Sequence, residues 1–233
     1  MMNLSERGRA PHRRHFEPTP RFCGDAAKRT LDIAVSLIAL LVLAPLLAAL
    51  WLLARSTSPG PGFFRQERVG LHMRRFSMLK LRTMYVSHGD QIHRDYVSGL
   101  LAGGREAGPR TSGGLFKLET DPRITPVGAW LRRTSLDELP QLLNVLRGEM
   151  SLVGPRPALP WEAEMWPLAY PGYQLRFEVR PGMTGLWQVS GRSRLSVQEW
   201  LYLDAEYVRR RSFGLDLAIL ARTLPALFRE GAS

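Results

Sequence analysis

Two adjacent acids, Asp137 and Glu138, follow Arg132 and Arg133 in the segment Arg132-Arg133-Thr134-Ser135-Leu136-Asp137-Glu138-Leu139-Pro140-Gln141. Ser135-x-x-Glu138 fits a capping box, with Ser135 as N-cap and Glu138 at the third helical position. Asp137 would then lie in a first helical turn, where the helix dipole favours its anion. The same geometry suits chemistry on phosphorus. A carboxylate kept ionised beside arginines can be a nucleophile, and an acid pair can hold a divalent cation through oxygen ligands. Both readings are open on spacing alone.

Cations that could meet phosphate lie elsewhere in the chain. Arg156 stands between Pro155 and Pro157. A residue before proline avoids the helical region, so this guanidinium rides on a stiff, extended loop. It is placed for bidentate phosphate recognition, or is simply solvated on a Pro-rich turn. In Lys80-Leu-Arg82-Thr83-Met84 a strand would direct Lys80 and Arg82 to one face. The stretch 180–188 reads as a turn and a short strand. Its Gly182 and Gly185 either admit a ligand close to the backbone or only make the turn. Neither GxxxxGK[ST] nor GxGxxG occurs. The single cysteine, Cys23, excludes an intrachain disulfide or thiolate metal site, and the five histidines read as surface or loop residues.

These groups need elements to position them. Residues 33–54 are apolar, carry no charge, and are long enough to span a bilayer. Pro45 has no N–H for the carbonyl of Leu41, so the helix is expected to bend there. Each half measures roughly 16 Å, about half of a ~30 Å hydrocarbon core. Lys28 and Arg29 precede the run, and Arg55, Arg65, Arg68, Arg74 and Arg75 follow it. Positive flanks favour the cytoplasmic side, and here both ends have them. The pattern predicts a re-entrant dip broken at Ala44-Pro45. A kinked span and a buried helix of a soluble protein are the alternatives. The run starts too late and is too long for a signal peptide.

The fold class expected is α+β and helix-rich. Residues 1–25 read as a flexible basic arm, 26–55 as the re-entrant membrane helix, and 56–233 as a compact cytoplasmic catalytic domain. Within it, 63–84 forms a hairpin after the Ser58-Pro-Gly-Pro-Gly62 breaker, the Gly-rich 86–114 is a mobile insertion, and the pattern is helical from Asp121. The apolar stretch 215–228 and Trp161, Trp166 and Trp200 belong either at a membrane interface or in the core. The net charge is +11, and residues 1–29 hold seven Lys or Arg against three acids, so an excess of +7 lies outside the arm. Anionic partners, or an ordinary solvated basic surface, are the readings this allows. A nucleic acid is not among them, since no nucleic-acid-binding fold is recognisable.

In this order, behind a Pro-broken apolar helix, these motifs resemble the bacterial sugar transferase family, the monotopic polyprenyl-phosphate glycosyl-1-phosphate transferases. The resemblance runs from about Lys28 to the C-terminus, broken by the Gly-rich region. It is strongest at 80–84, 121–125, 132–141, 151–157 and 180–192. Ala44-Pro45 departs from the Ser-Pro often found at the membrane break. The resemblance implies transfer of a sugar-1-phosphate from a UDP-sugar to undecaprenyl phosphate, with release of UMP, at the cytoplasmic face of a bacterial inner membrane. It makes Asp137 the nucleophile and Glu138 its partner acid, with Mg²⁺ as cofactor at these two acids. Lys80, Arg82, Arg132 and Arg156 surround the phosphates. Gly185-Leu-Trp-Gln-Val-Ser-Gly-Arg192 is similar to the branch that handles glucose or galactose in exopolysaccharide initiation. Membrane lipids are partners, and a homodimer is compatible with the family.

Overall fold

The computed structural model describes residues 24–85, 123–170, 172–191 and 195–230. Most of the expected basic arm, with Cys23, lies outside the described residues, as do the 86–114 insertion, Asp121-Pro122 and Arg192. One helix, α1 (Asp25–Ser56), takes up the whole apolar run. It continues through Pro45 as a single element of 32 residues. The bend expected at Pro45 thus does not divide the helix into two elements.

A polar stripe explains how α1 is held. Lys28, Asp32 and Ser36 recur every four residues and so share one helix face. Asp32 and Ser36 are buried. The Asp32 carboxylate accepts from the Leu152 N–H (3.0 Å) and the Ser151 hydroxyl (3.1 Å). Lys28 donates to Asp216 (2.7 Å) and to the Val153 carbonyl (3.0 Å). Arg29 donates to the carbonyls of Val145 and Leu146. These last carbonyls lie at a helix C-terminus, where a cation completes acceptors that the helix leaves open.

The far end of α1 returns to the same body. Leu50 is buried with Leu81 and Leu131, and Trp51, Val127 and Leu136 pack around them. The Arg82 guanidinium donates to the carbonyls of Ala54 and Ser58, closing the C-terminal end. Between these anchor points the outer face stays bare: Leu41 is 68% exposed and Val42 is 71% exposed.

The hairpin expected over 63–84 is present. Strands β1 (Phe63–Val69) and β2 (Arg75–Leu81) pair antiparallel, with Phe63 opposite Leu81 and Phe64 opposite Lys80. Helix α2 (Pro126–Arg133) follows, with Thr125 as N-cap accepting from the Gly128 N–H and Pro126 in its first turn. A 3₁₀ turn (Leu136–Glu138) leads into α3 (Gln141–Arg147), which ends at Gly148 with φ 80°. Two short strands, β3 (Ser151–Val153) and β4 (Gly182–Thr184), pair in parallel. Between them run α4 (Pro160–Ala169) and a 3₁₀ helix over Tyr173–Glu178. Three helices complete the described chain: α5 (Leu186–Ser190), α6 (Val197–Arg210) and α7 (Phe213–Glu230). The result is helix-rich α+β, as expected.

The open question over Trp166 and Trp200 resolves to core. They are 1% and 2% exposed, with rings 5.3 Å apart, edge to face, in a cluster with Tyr173 and Phe177. Trp161 is partly buried against the same cluster.

Asp32→Ala leaves the Leu152 N–H and Ser151 hydroxyl without their acceptor. A loss of about 1–3 kcal/mol is expected, read as a melting temperature roughly 3–10 °C lower in detergent micelles. Asp32→Asn keeps a carbonyl acceptor and should lose less.

Candidate active site

Asp137 and Glu138 are presented by a sharp reversal between α2 and α3. Ser135 adopts the left-handed conformation (φ 56°, ψ 16°), uncommon for a residue with a side chain. Its hydroxyl makes no capping bond to the turn. The capping box expected from Ser135-x-x-Glu138 is thus absent. A 3₁₀ turn replaces the first α-helical turn, because Pro140 sits directly before α3 and has no N–H to join an earlier helix. Leu136 turns into the Leu50–Leu81–Leu131 cluster, which anchors the turn against α1 and β2. Asp137 is buried. Glu138 is partly exposed and reaches Lys80, with Oε1 and Nζ 3.0 Å apart. The acid pair and the cation expected from sequence are therefore brought together.

Lys80 and Arg82 part company. β2 ends at Leu81, so the alternation expected to put both on one face stops before Arg82. Arg82 is buried against the end of α1, and burial lowers its pKa, helped by the nearby Arg55 charge. In this structure its contacts serve the end of the apolar helix α1. Arg132 lies in the last turn of α2, three residues before the left-handed Ser135, and is partly exposed.

Arg156 sits on the Pro-flanked loop after β3, half-buried, and pairs with the fully buried Glu162 at 3.6 Å. Glu162 also accepts from the Leu159 N–H at 2.7 Å, capping α4. The loop backbone is gripped from several sides. Arg176 donates to the Arg156 carbonyl (2.9 Å) and Arg68 to the Pro157 carbonyl (3.0 Å). The Gly182 N–H donates to the Pro155 carbonyl (2.8 Å). A Cβ on Gly182 would stand 2.0 Å from the Gly154 nitrogen. The alternatives for this glycine thus resolve to close packing of two loops, not room for a ligand.

Sequence reasoning missed the core of this support. Arg176 and Asp204 form a buried pair at 2.8 Å, and the Arg176 guanidinium lies 4.7 Å from the Tyr173 ring and 4.8 Å from the Trp200 ring. Their separation in sequence gave no motif to read. The Lys28–Asp32–Ser36 stripe has a legible four-residue spacing, but two of its three members precede the apolar run that begins at Ile33.

Residues 23–230 match the sequence profile described as bacterial sugar transferase. The chain belongs to the bacterial sugar transferase family. The exopolysaccharide production protein ExoY of Sinorhizobium fredii is 40% identical over 204 residues, covering 88% of this chain and 86% of that protein. The undecaprenyl-phosphate galactose phosphotransferase of Salmonella typhimurium is 41% identical over 203 residues, covering 87% of this chain but 40% of its own length. A UDP-glucose:undecaprenyl-phosphate glucose-1-phosphate transferase of Caulobacter vibrioides is 39% identical over 215 residues, covering 90% and 73%. In this chain Lys80 meets Glu138 at the acid turn, while Arg156 pairs with Glu162 on its own Pro-flanked loop.

Burial pushes the Asp204 carboxyl up to about 6 from its ordinary 3.8, against the pull of Arg176 and Arg156. A pKa raised on folding gives stability that is complete below the unfolded value and is lost as pH rises through the folded one. Wild type should therefore lose stability relative to Asp204→Asn as pH rises from 4 to 7, by about 1–3 kcal/mol. Thermal denaturation of both proteins across that range checks it, and a trend of opposite sign would contradict it.

Proposed function

We propose that this sugar transferase moves a hexose-1-phosphate, glucose or galactose, from a UDP-sugar to undecaprenyl phosphate, releasing UMP and starting exopolysaccharide, capsule or O-antigen assembly. The observation that carries this reading is the buried Asp137 beside Glu138, with Lys80 at 3.0 Å from Glu138, in a chain whose relatives include enzymes named for such transfers.

In the first step a carboxylate oxygen of Asp137 attacks the β-phosphorus of the UDP-sugar. The bond from that phosphorus to the bridging oxygen breaks, and UMP leaves with the electron pair. In the second step a phosphate oxygen of undecaprenyl phosphate attacks the same phosphorus and frees the Asp137 carboxylate. Phosphoryl transfer depends chiefly on position and charge. Lys80, Arg132 and Arg156 are the cations proposed for the phosphates, with Arg82 acting through the placement of β2 against α1. No cluster of three or more metal-binding side chains occurs among the described residues. Two adjacent carboxylates fit Mg²⁺, which commonly binds one or two carboxylates and takes its other oxygens from substrate phosphates and water. Asp137 and Glu138 would hold the ion, and it would neutralise charge on the phosphates.

The membrane arrangement proposed is a dip from the cytoplasmic face of the inner membrane. It is supported by contacts that hold both ends of α1 to the polar body. Among the described residues, none between Leu40 and Leu50 belongs to either core cluster that α1 joins. That interval rises about 15 Å, half of a ~30 Å core. An enzyme held at this level can meet a soluble nucleotide sugar and a lipid phosphate together.

Asp137→Asn should abolish turnover and the phosphosugar adduct seen by intact-protein mass spectrometry. Wild type without acceptor should release UMP in an amount stoichiometric with enzyme. Full turnover in Asp137→Asn, or no burst in wild type, refutes the covalent route. For topology, the sole thiol, Cys23, should resist an impermeant maleimide in intact spheroplasts and react once the membrane is opened. Labelling from outside would establish a span instead.

A further inference from the structure

The β1–β2 hairpin carries adjacent aromatics whose side chains point to opposite faces, because side chains alternate along a strand. Phe63 pairs with Leu81 and shares its face. That face meets α1: Leu81 is buried beside Leu50, and the Phe63 ring lies 6.4 Å from Trp51. Phe64 pairs with Lys80 and shares the other face, where Lys80 meets Glu138. Directly opposite residues in an antiparallel pair have Cβ atoms about 4.5–5.5 Å apart. Phe64 is nevertheless 46% exposed, so a large apolar ring stands open beside the ionic part of the candidate site.

Other exposed apolar residues lie at this end of the hairpin and on the nearby end of α1. Phe63, its chain neighbour, is 41% exposed, and Leu52 and Leu53 on the last turns of α1 are 59% and 39% exposed. Exposed apolar residues thus mark a path from the last turns of α1, through the start of β1, to Lys80. It ends on a cation whose ammonium has three donors, one of which meets Glu138. A ligand that fits this path has an apolar chain at one end and a phosphate at the other.

We infer that Phe64 is a specificity-determining residue for the acceptor: the isoprene units next to the phosphate of a prenyl phosphate lie on its ring, while the phosphate meets Lys80. The inference rests on the function proposed above and adds a contact on the acceptor side. A nucleoside base could also stack on an exposed phenyl ring. The exposed apolar residues leading from α1 favour the lipid, because a soluble nucleotide needs no route from the membrane.

The experiment is steady-state kinetics of the full chain in vesicles of fixed lipid composition, varying undecaprenyl phosphate and UDP-sugar separately. Phe64→Ser should raise the acceptor KM about ten-fold relative to the donor KM, a loss in keeping with uncovering an aromatic ring. Phe64→Leu, which keeps apolar contact, should recover most of the loss. A selective rise in donor KM would assign the ring to the nucleoside and overturn the inference. So would unchanged constants for Phe64→Ser, or loss of the protein from floated vesicles, which would make Phe64 a membrane contact only. Absence of turnover in wild type would instead refute the proposed function, so the two failures are distinguishable.

Discussion

The structure depends on securing both ends of one apolar helix to one polar body. At the front, Asp32 is a buried carboxylate satisfied by a backbone N–H and a hydroxyl from β3. Lys28 reaches across to Asp216, which also accepts from the Tyr207 hydroxyl. At the back, Arg82 occupies carbonyls that the end of α1 leaves open. Buried charges are tolerated only when paired and hydrogen-bonded, and here those pairings join the helix to β2, β3 and α7. The acid turn then packs through Leu136 onto the same cluster that holds Leu50. Helix, hairpin and acids are therefore set relative to one another by a few shared contacts.

The Arg156 loop shows a second use of the same principle. Its two prolines stiffen the backbone, but the carbonyls around them still need donors. Arg176, Arg68 and Gly182 supply them. Burial of Arg176 among aromatic rings is compensated by Asp204 and by ring faces. Burial raises the Tyr173 hydroxyl to about 12, so it stays protonated inside this cluster. The guanidinium of Arg156 is left at the edge, held to Glu162. A rigid, satisfied backbone with a charged tip at its rim is what placing a cation at a phosphate requires.

Local signals carried far. The apolar run, the breaker and the alternating residues gave α1 and the hairpin, and the acid pair and Lys80 do meet. The errors come from competition between local and tertiary terms. The capping box at Ser135 lost to a left-handed turn that Leu136 anchors in the core. Arg82 left its predicted face because the strand stops one residue earlier. Strand β3 carries no signal of its own within a stretch that reads as helical, since three residues hold too little alternation to register, and its partner lies some thirty residues on. The Arg176–Asp204 pair had no local pattern at all. Long-range polar pairs form only when the fold closes, so spacing along the chain does not reveal them.

The hairpin also constrains how this chain can change. With a side-chain period of two, losing or gaining one residue between Gly62 and the turn would exchange the two faces of β1. Phe64 would then face Trp51, and its neighbour would stand beside Lys80. Insertions and deletions that leave the pairing intact are confined to the turn around Gly70 and Arg74, where the strands are joined. Point substitutions adjust one face at a time, whereas a single-codon insertion or deletion in β1 would disturb the helix contact and the acid site together.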